Sequence, residues 1–424
     1  MVSDEQRTLG RRNFLKAVAT VPPTGALLWK TASMWPVKAG IIGIGGQGGV
    51  LMENAPPSHM KIAAVCDIFP PNREKALKIA QERFDPNAVA YSDHRELLKR
   101  GDIEAVLIAA PLWMHEALAI DALNAGKHVF TEKAMAHSID GCRRMIQAAD
   151  SAGKHLQVGH QRNYNPLYQE AYQLIREGVI GDVYHVRSLW HRNKSWRRPV
   201  PETDFDPSPW GYPDMEHLRN WRLYRKYSFG LNAELGSHHL QVVNWFTGKL
   251  PKAVYGSGGI YAYDDGREVE DHIYVTYEYP GGLTYTFSSI QTNAFDHFYE
   301  QFMGTEGTII LTREREAMLF SEGGKAAATE LKTQAMGDAP LLEASESRVR
   351  DAAGSQVTGG GKSAASALRG YSKELEGFCR TIRYGTENLC DGPSAMNVCV
   401  PMIKAGESMD SRQKVEIPQN LYWT

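Results

Sequence analysis

The sequence predicts an α/β fold in two parts: a doubly wound parallel sheet, followed by an α+β domain with a mostly antiparallel open sheet. Three observations lead there. From Val37 onward, short apolar runs alternate with helical stretches, the pattern of βαβ units. The first run ends in a glycine-rich turn. From Ala253 the apolar runs follow one another directly with period-two alternation, as hairpin-connected strands do.

In the first part, five runs read as strands: Val37–Ile42, Lys61–Cys66, Ala105–Ala109, His128–Thr131 and His155–Val158. Helical stretches at Arg73–Arg83, His115–Ala125 and Ile139–Ala152 lie between them. Open parallel sheets bind ligands beyond the carboxyl ends of their strands. The first strand runs into Gly43-Ile44-Gly45-Gly46-Gln47-Gly48. Glycines at these spacings permit a tight turn, close approach to a pyrophosphate and packing of the next helix, whose N-terminal N–H groups face the phosphates. Asp67 ends the second strand, where a carboxylate accepts from a ribose 2′-hydroxyl and repels a 2′-phosphate. Residues 37–160 are therefore expected to form a Rossmann domain that binds NAD, with NADP as the second candidate. The other strand ends are also polar or backbone-special. They are Pro111 with Trp113 and His115, then Glu132-Lys133, then His160-Gln161-Arg162-Asn163-Tyr164. A single charged pair after a strand is as often a solvated turn, but several on one sheet edge point to a site.

Composition narrows the partners. Forty-seven basic and 49 acidic residues give a formal charge of −2, which does not favour nucleic acid or an anionic membrane. No segment after the leader reads as a membrane span. The five cysteines (Cys66, Cys142, Cys379, Cys390, Cys399) lack metal-ligand spacing, so no metal is expected. They read as buried small hydrophobes, although an oxidising compartment would permit a Cys390–Cys399 bridge. Arg11-Arg12-Asn13-Phe14-Leu15-Lys16, followed by the short apolar stretch Ala17–Leu28, reads as a twin-arginine export signal. Residues 1–36 are accordingly set aside as a leader, and the expected location is the periplasm.

Residues 161–424 read as the substrate domain. A helix (Leu167–Glu177) and a strand (Val183–His191) precede an insertion from Asn193 to about Tyr227, dense in Trp196, Trp210, Tyr212, Trp221, Tyr224 and arginines. Aromatic faces there suit sugar rings, while a loop packed by its own aromatics is the alternative. Strands are expected at Ala253–Tyr263, His272–Tyr279, Leu283–Gln291 and Thr308–Leu311. Ser321–Ala365, rich in Gly, Ala and Ser, is expected to be a flexible surface excursion. Helices at Ser372–Tyr384 and Ser394–Ser408 close the chain. Around residue 234, Glu234, His238, Gln241 and Trp245 share one helical stripe, and Leu235, His239, Val242 and Phe246 a more apolar neighbour. That spacing makes His238 the catalytic candidate, with Glu234 orienting its imidazole, and His239 a packed structural histidine.

From Val37 on, the chain resembles the Gfo/Idh/MocA family of sugar and polyol oxidoreductases. The matching pieces are the Gly43–Gly48 loop, Ala125-Gly126-Lys127-His128-Val129 leading into Glu132-Lys133, and Val158-Gly159-His160-Gln161-Arg162. Gly304-Thr305-Glu306-Gly307 and a segment around Ser408 complete them. The family's Glu-Lys-Pro appears as Glu132-Lys133-Ala134, and its acid four residues before a histidine as Glu234 and His238. The resemblance implies catalysis by Lys133, His238 and Glu234. It implies cofactor contacts from the glycine loop, Asp67, Pro111, Trp113, His115, Glu132, Lys133, Gln161 and Arg162. It further implies substrate contacts from Lys133, Arg162, Tyr164, Glu234 and His238, and a homo-oligomer, dimer or tetramer, formed through the outer sheet face. The expected activity is oxidation of a sugar, glycoside or polyol hydroxyl by an exported enzyme with tightly bound, recycled cofactor. The alternatives are an NAD-dependent glycoside hydrolase working by transient oxidation, elimination, water addition and re-reduction, and a non-catalytic sugar-binding protein.

Overall fold

In the computed structural model of the protein, residues 36–322, 329–336, 339–346 and 364–423 are described. The twin-arginine segment and the rest of 1–35 lie outside them. The apolar runs of the first part pair as β1 (Val37–Ile42), β2 (Met60–Cys66), β3 (Val89–Tyr91), β4 (Ala105–Ile108), β5 (His128–Glu132) and β6 (Leu156–Gly159), in the order β3-β2-β1-β4-β5-β6. Every pairing is parallel. Helices α1 (Gly46–Asn54), α2 (Pro70–Arg83), α3 (His94–Leu98), α4 (His115–Asn124) and α5 (Ile139–Ala152) connect them. In β4, Val106 and Ile108 pack into one apolar cluster and Ala105 and Leu107 into another, so both faces of the sheet are covered. That double burial is why these strands read as unbroken apolar runs. The short β3 and α3 carry too few residues to show a period, and the sequence reading missed them.

The order reverses between β1 and β4. A crevice opens at such a switch point, and both the glycine turn and Pro111 sit there.

The second part contains α6 (Pro166–Arg176), β7 (Val183–Asn193), α7 (Met215–Arg219), α8 (Ser237–Thr247), β8 (Ala253–Gly259), β9 (His272–Glu278) and β10 (Thr284–Ile290). It continues with β11 (Thr292–Gly304), β12 (Gly307–Thr312), β13 (Glu316–Ser321), β14 (Thr329–Met336), β15 (Ala339–Glu346) and β16 (Val415–Glu416). Their order is β15-β14-β13-β12-β11-β7-β10-β9-β8-β16, antiparallel except for the parallel pair β7–β10. Alternate residues of β9 and β10 (Ile273, Val275, Tyr277; Tyr285, Phe287) face the core, as the alternation predicts. Within the 321–365 stretch, β14 and β15 form a hairpin that pairs with β13, and residues 323–328, 337–338 and 347–363 lie outside the described residues.

Two long helices follow, α9 (Ala364–Tyr384) and α10 (Gly392–Ser411). Through Leu375, Phe378 and Cys379, α9 packs back into the core of the parallel sheet, with Phe378 edge-on to Phe130 at 5.9 Å. Residues 37 onward thus make one compact unit, and the two sheets share a fixed crevice. All five cysteines are buried and free. Burial pushes Cys66 and Cys379 up to about 12, as expected for inert thiols.

Candidate active site

The crevice is a cavity of about 850 Å³. The parallel sheet contributes Gly43, Gly45, Gly46, Gln47, Asp67, Pro111, Trp113, Glu132 and Lys133 to its wall. The second part contributes Arg192, the insertion, Glu234 and His238, and α9 adds Tyr371.

The glycine turn is built as its spacing requires. Gly43 has φ +83°, and a Cβ there would lie 2.6 Å from the Ala110 nitrogen. A Cβ on Gly48 would lie 2.2 Å from the Gly43 carbonyl oxygen, so the start of α1 can approach β1 only without one. Gly45 caps α1 without a side-chain bond, leaving the first N–H groups of the helix directed at the crevice. Asp67 accepts from the Ile44 and Phe69 amides at 2.7 and 2.8 Å and still lines the cavity. Burial raises its pKa, and those amide bonds oppose the rise. Asn72 also donates to its Oδ2 at 3.3 Å, so Oδ1 is the oxygen that can accept a further bond. Glycine cradle, bare helix start and carboxylate at the end of β2 fit the two phosphates and one ribose of a dinucleotide.

Lys133, Glu234 and His238 meet in this cavity. The Lys133–Ala134 peptide is cis. Lys133 Nζ donates to the Glu234 carbonyl oxygen at 2.9 Å and lies 3.6 Å from its carboxylate. Arg222 Nε donates to the same carboxylate at 2.7 Å. Burial pushes Glu234 up, but Lys133 and Arg222 overcome it and leave the acid below its ordinary value. Burial, then Lys133 and Arg162, hold His238 well below the usual imidazole value, so its ring is neutral near pH 7. One expectation is corrected: Glu234 clamps Lys133 and makes no hydrogen bond to His238 among the described residues. Residues Asn232–Gly236 form a π-helical turn, and that wider turn rotates Glu234 out of line with the α-helix that starts at Ser237. His239 is a packed residue, fully buried and 2.6 Å from Glu300.

Four further expectations are corrected. His115 does not face the cavity. Its ring turns inward at the start of α4, with Nδ1 2.8 Å from the Ala134 carbonyl and Nε2 2.9 Å from that of Ala110, and so ties the ends of β4 and β5 together. Gln161 donates to Glu314 at 3.4 Å. Arg162 is fully buried, donating through Nε to Glu314 at 2.8 Å and pairing with Glu300, which also accepts from Tyr168 at 2.9 Å. The Tyr164 ring packs against Gly377 of α9. Helix α9 covers Gln161 and Tyr164 of the turn after β6, and Glu300 and Glu314 hold Arg162, so these side chains are withdrawn from the crevice. Gln47 and Glu132 stay in the wall, bonded to each other at 2.8 Å.

The insertion is both self-packed and part of the site. Tyr212, Leu223, Tyr224 and Tyr227 form a small core, and Trp196, Trp210 and Trp221 face the cavity. It also grips the parallel sheet. Trp113 Nε1 donates to the Tyr212 hydroxyl at 2.8 Å, and Phe69 meets Phe205 edge-on at 5.5 Å. Arg198 comes within 3.5 Å of where a Gly46 Cβ would stand, so it lies over the glycine turn. The individual arginines were not singled out from sequence. The available signal was the interleaving of Trp190/Arg192, Trp196/Arg198 and Trp221/Arg222.

Comparison with known proteins agrees with the two-part fold. The family profile described as oxidoreductase family, NAD-binding Rossmann fold, matches residues 37–160, and the GFO/IDH/MocA C-terminal domain profile matches 168–310. An inositol 2-dehydrogenase/D-chiro-inositol 3-dehydrogenase of Shouchella clausii is 37% identical over 160 residues, 37% of this chain and 45% of that protein. A glycosyl hydrolase family 109 protein of Shewanella woodyi is 26% identical over 229 residues, 52% of this chain and 48% of that protein. The chain thus spans less than half the length of these curated relatives. Among solved structures, levoglucosan dehydrogenase in complex with NADH superposes with TM-score 0.69 at 18% identity, covering 91% of this chain and all of that one. An oxidoreductase domain protein from Kribbella flavida gives TM-score 0.70 at 20% identity, with the same coverage of both chains. At these identities the superpositions speak for the fold alone.

Proposed function

From the premise that this chain belongs to the Gfo/Idh/MocA oxidoreductase family, we propose that it oxidises a hydroxyl of a sugar, glycoside or polyol with NAD. The observation that carries this reading is a single cavity lined by the glycine turn and Asp67 together with Lys133, His238 and Glu234. Bound NAD would be held by Gly43–Gly48, Asp67 and Arg198, and would supply hydride acceptance and return. The remaining work falls to the protein. Lys133, fixed by both oxygens that Glu234 offers it, donates a hydrogen bond to the substrate oxygen. Neutral His238 accepts the hydroxyl proton. Glu234 keeps its charge and so holds Lys133 against solvent and Arg222.

We also read Arg11-Arg12 as an address to the periplasm, where exchange with a nicotinamide pool is not available. The grip of the insertion on Trp113, Phe69 and the glycine turn supports a retained cofactor, reduced and reoxidised within each catalytic cycle. A second reading, glycoside hydrolysis through transient oxidation, is favoured by one observation. The likeness to the Shewanella woodyi protein runs over 229 residues, against 160 for the inositol dehydrogenase. Tyr255 and Tyr274, exposed on the outward face of the open sheet, support self-association through that face.

Purified full-chain protein tests these readings. Retained nicotinamide with hydride passing between two added sugars supports the oxidoreductase. Release of nitrophenol from an aryl glycoside without added NAD supports the hydrolase. Rapid reduction of soluble NAD by a protein that retains none would refute the recycled cofactor.

A further inference from the structure

We infer that the substrate carries an anionic group, a carboxylate, sulfate or phosphate on the sugar, recognised by Arg192 together with Lys194, Arg219 and Arg222. This rests on reading the cavity as the substrate site of an oxidoreductase.

The basic residues in and around the insertion fall into two sets. Arg197, Arg225 and Arg267 are neutralised within the protein. Arg197 pairs with Glu216 and with Asp265 at 3.1 Å, Arg225 with Glu270 at 2.6 Å and Asp410 at 3.0 Å, and Arg267 with Asp265 at 2.8 Å. None of these three lines the cavity. Arg192, Lys194, Arg198 and Arg219 do line it, and none has a carboxylate partner within 4.0 Å among the described residues. Arg219 Nε is buried with no hydrogen-bond partner among them. Arg222 and Lys133 share the single carboxylate of Glu234.

Of the carboxylates in the cavity wall, Glu234 alone stands on the same side as Arg192, Lys194, Arg198, Arg219 and Arg222. The other carboxylates in the wall, Asp67, Asp93 and Glu132, stand on the parallel-sheet side, and Glu132 is already bonded to Gln47. A dinucleotide brings two phosphates, and Arg198 over the glycine turn is placed to meet them. The remaining positive charge has no counterpart among the described residues or in the cofactor. Gathering like charges in a half-enclosed site costs free energy, which hydroxyl groups would not return. Burial, opposed by Glu234 and reinforced by Arg222, already pulls Arg192 down to about 10.

Geometry favours an anion as well. The Arg192 guanidinium lies 5.0 Å from the centre of the Trp190 ring and 6.0 Å from that of Trp196, and Arg222 lies 4.4 Å from that of Trp221. Contact with aromatic rings restrains the guanidinium groups and leaves N–H donors for an oxyanion.

The test uses full-chain protein loaded with NAD and four probes: a methyl hexoside and its uronoside, 6-sulfate and 6-phosphate counterparts. Turnover is read with an excess carbonyl acceptor that reoxidises the bound nicotinamide, and nicotinamide absorbance without the acceptor reports the first half-reaction. At least one anionic probe is expected to exceed the neutral parent in kcat/KM by roughly ten- to a hundredfold, the worth of a charge-assisted contact. Which one does so identifies the group. Added chloride should erode that preference. Arg192→Gln should bring the ratio toward one and Arg192→Lys should keep part of it, with cofactor occupancy unchanged in both. If the neutral hexoside matches its charged counterparts, or Arg192→Gln alters only NAD occupancy, the anion assignment falls while the oxidoreductase reading stands. If NAD is retained and no probe changes its absorbance, both fall.

Discussion

Replacing Gly48 with alanine places one methyl group where the glycine turn has the least room for it. The added Cβ would lie 2.2 Å from the Gly43 carbonyl oxygen, against an ordinary contact of 3.4 Å or more. Either α1 or the turn must therefore retreat by about 1.2 Å, and interiors at this packing density do not absorb such a shift without cost. Overpacking of one methylene costs roughly 1–3 kcal/mol. The same retreat draws the N–H groups at the start of α1 away from the phosphates, since hydrogen bonds of 2.7–3.2 Å do not survive a shift of roughly 1 Å. If the full penalty falls on the bound state, the Kd for NAD rises by roughly five- to 150-fold. Gly49→Ala is the control, because a Cβ there meets nothing within 4 Å. It should keep the Kd and leave Tm unchanged or slightly raised, as alanine favours the helix by about 0.5–1 kcal/mol. The assay is NAD retained after desalting, followed by titration of the stripped protein. Wild-type affinity in a folded Gly48→Ala protein would refute the assignment of this turn to the pyrophosphate.

Three further outcomes are expected. Lys133→Ala should lose roughly two to three orders of magnitude in kcat while keeping its NAD, as removal of a donor to the reacting oxygen does; equal turnover would remove Lys133 from catalysis. Arg162→Met should destabilise the protein by about 3–5 kcal/mol in urea unfolding, because Glu300 and Glu314 lose a buried partner. A raised KM at unchanged stability would instead return Arg162 to the substrate site. Burial pushes His160 down to about 3, below its unfolded value of 6.5. The unfolded chain therefore binds the extra proton, and the contribution is whole above pH 6.5 and lost as pH falls toward 3. At pH 5 this amounts to about 2 kcal/mol, so Tm should fall between pH 7 and 5 in wild type and less in His160→Gln.

The sequence by itself determined the parallel sheet, the glycine turn and the candidates Lys133 and His238. Each of these rests on a local cause: apolar runs buried on both faces, residues that tolerate φ of +83° or a Cβ-free approach, and polar groups that stand immediately after a strand. It also determined the alternating strands of the second sheet, because one face of that sheet is wet. Tertiary structure decided what local pattern cannot carry. A π-helical turn moved Glu234 from its place beside His238 to a clamp on Lys133, although the i, i+4 spacing was present. Helix α9, returning from the end of the chain, covered Gln161 and Tyr164, while Glu300 and Glu314 took up Arg162, and three apparent ligands became core. The pairing of Arg197, Arg225 and Arg267, and the absence of carboxylate partners for Arg192, Arg198 and Arg219 among the described residues, depend on contacts that the fold creates. In the chain these residues look alike, and their charge balance exists only once the fold has chosen their neighbours.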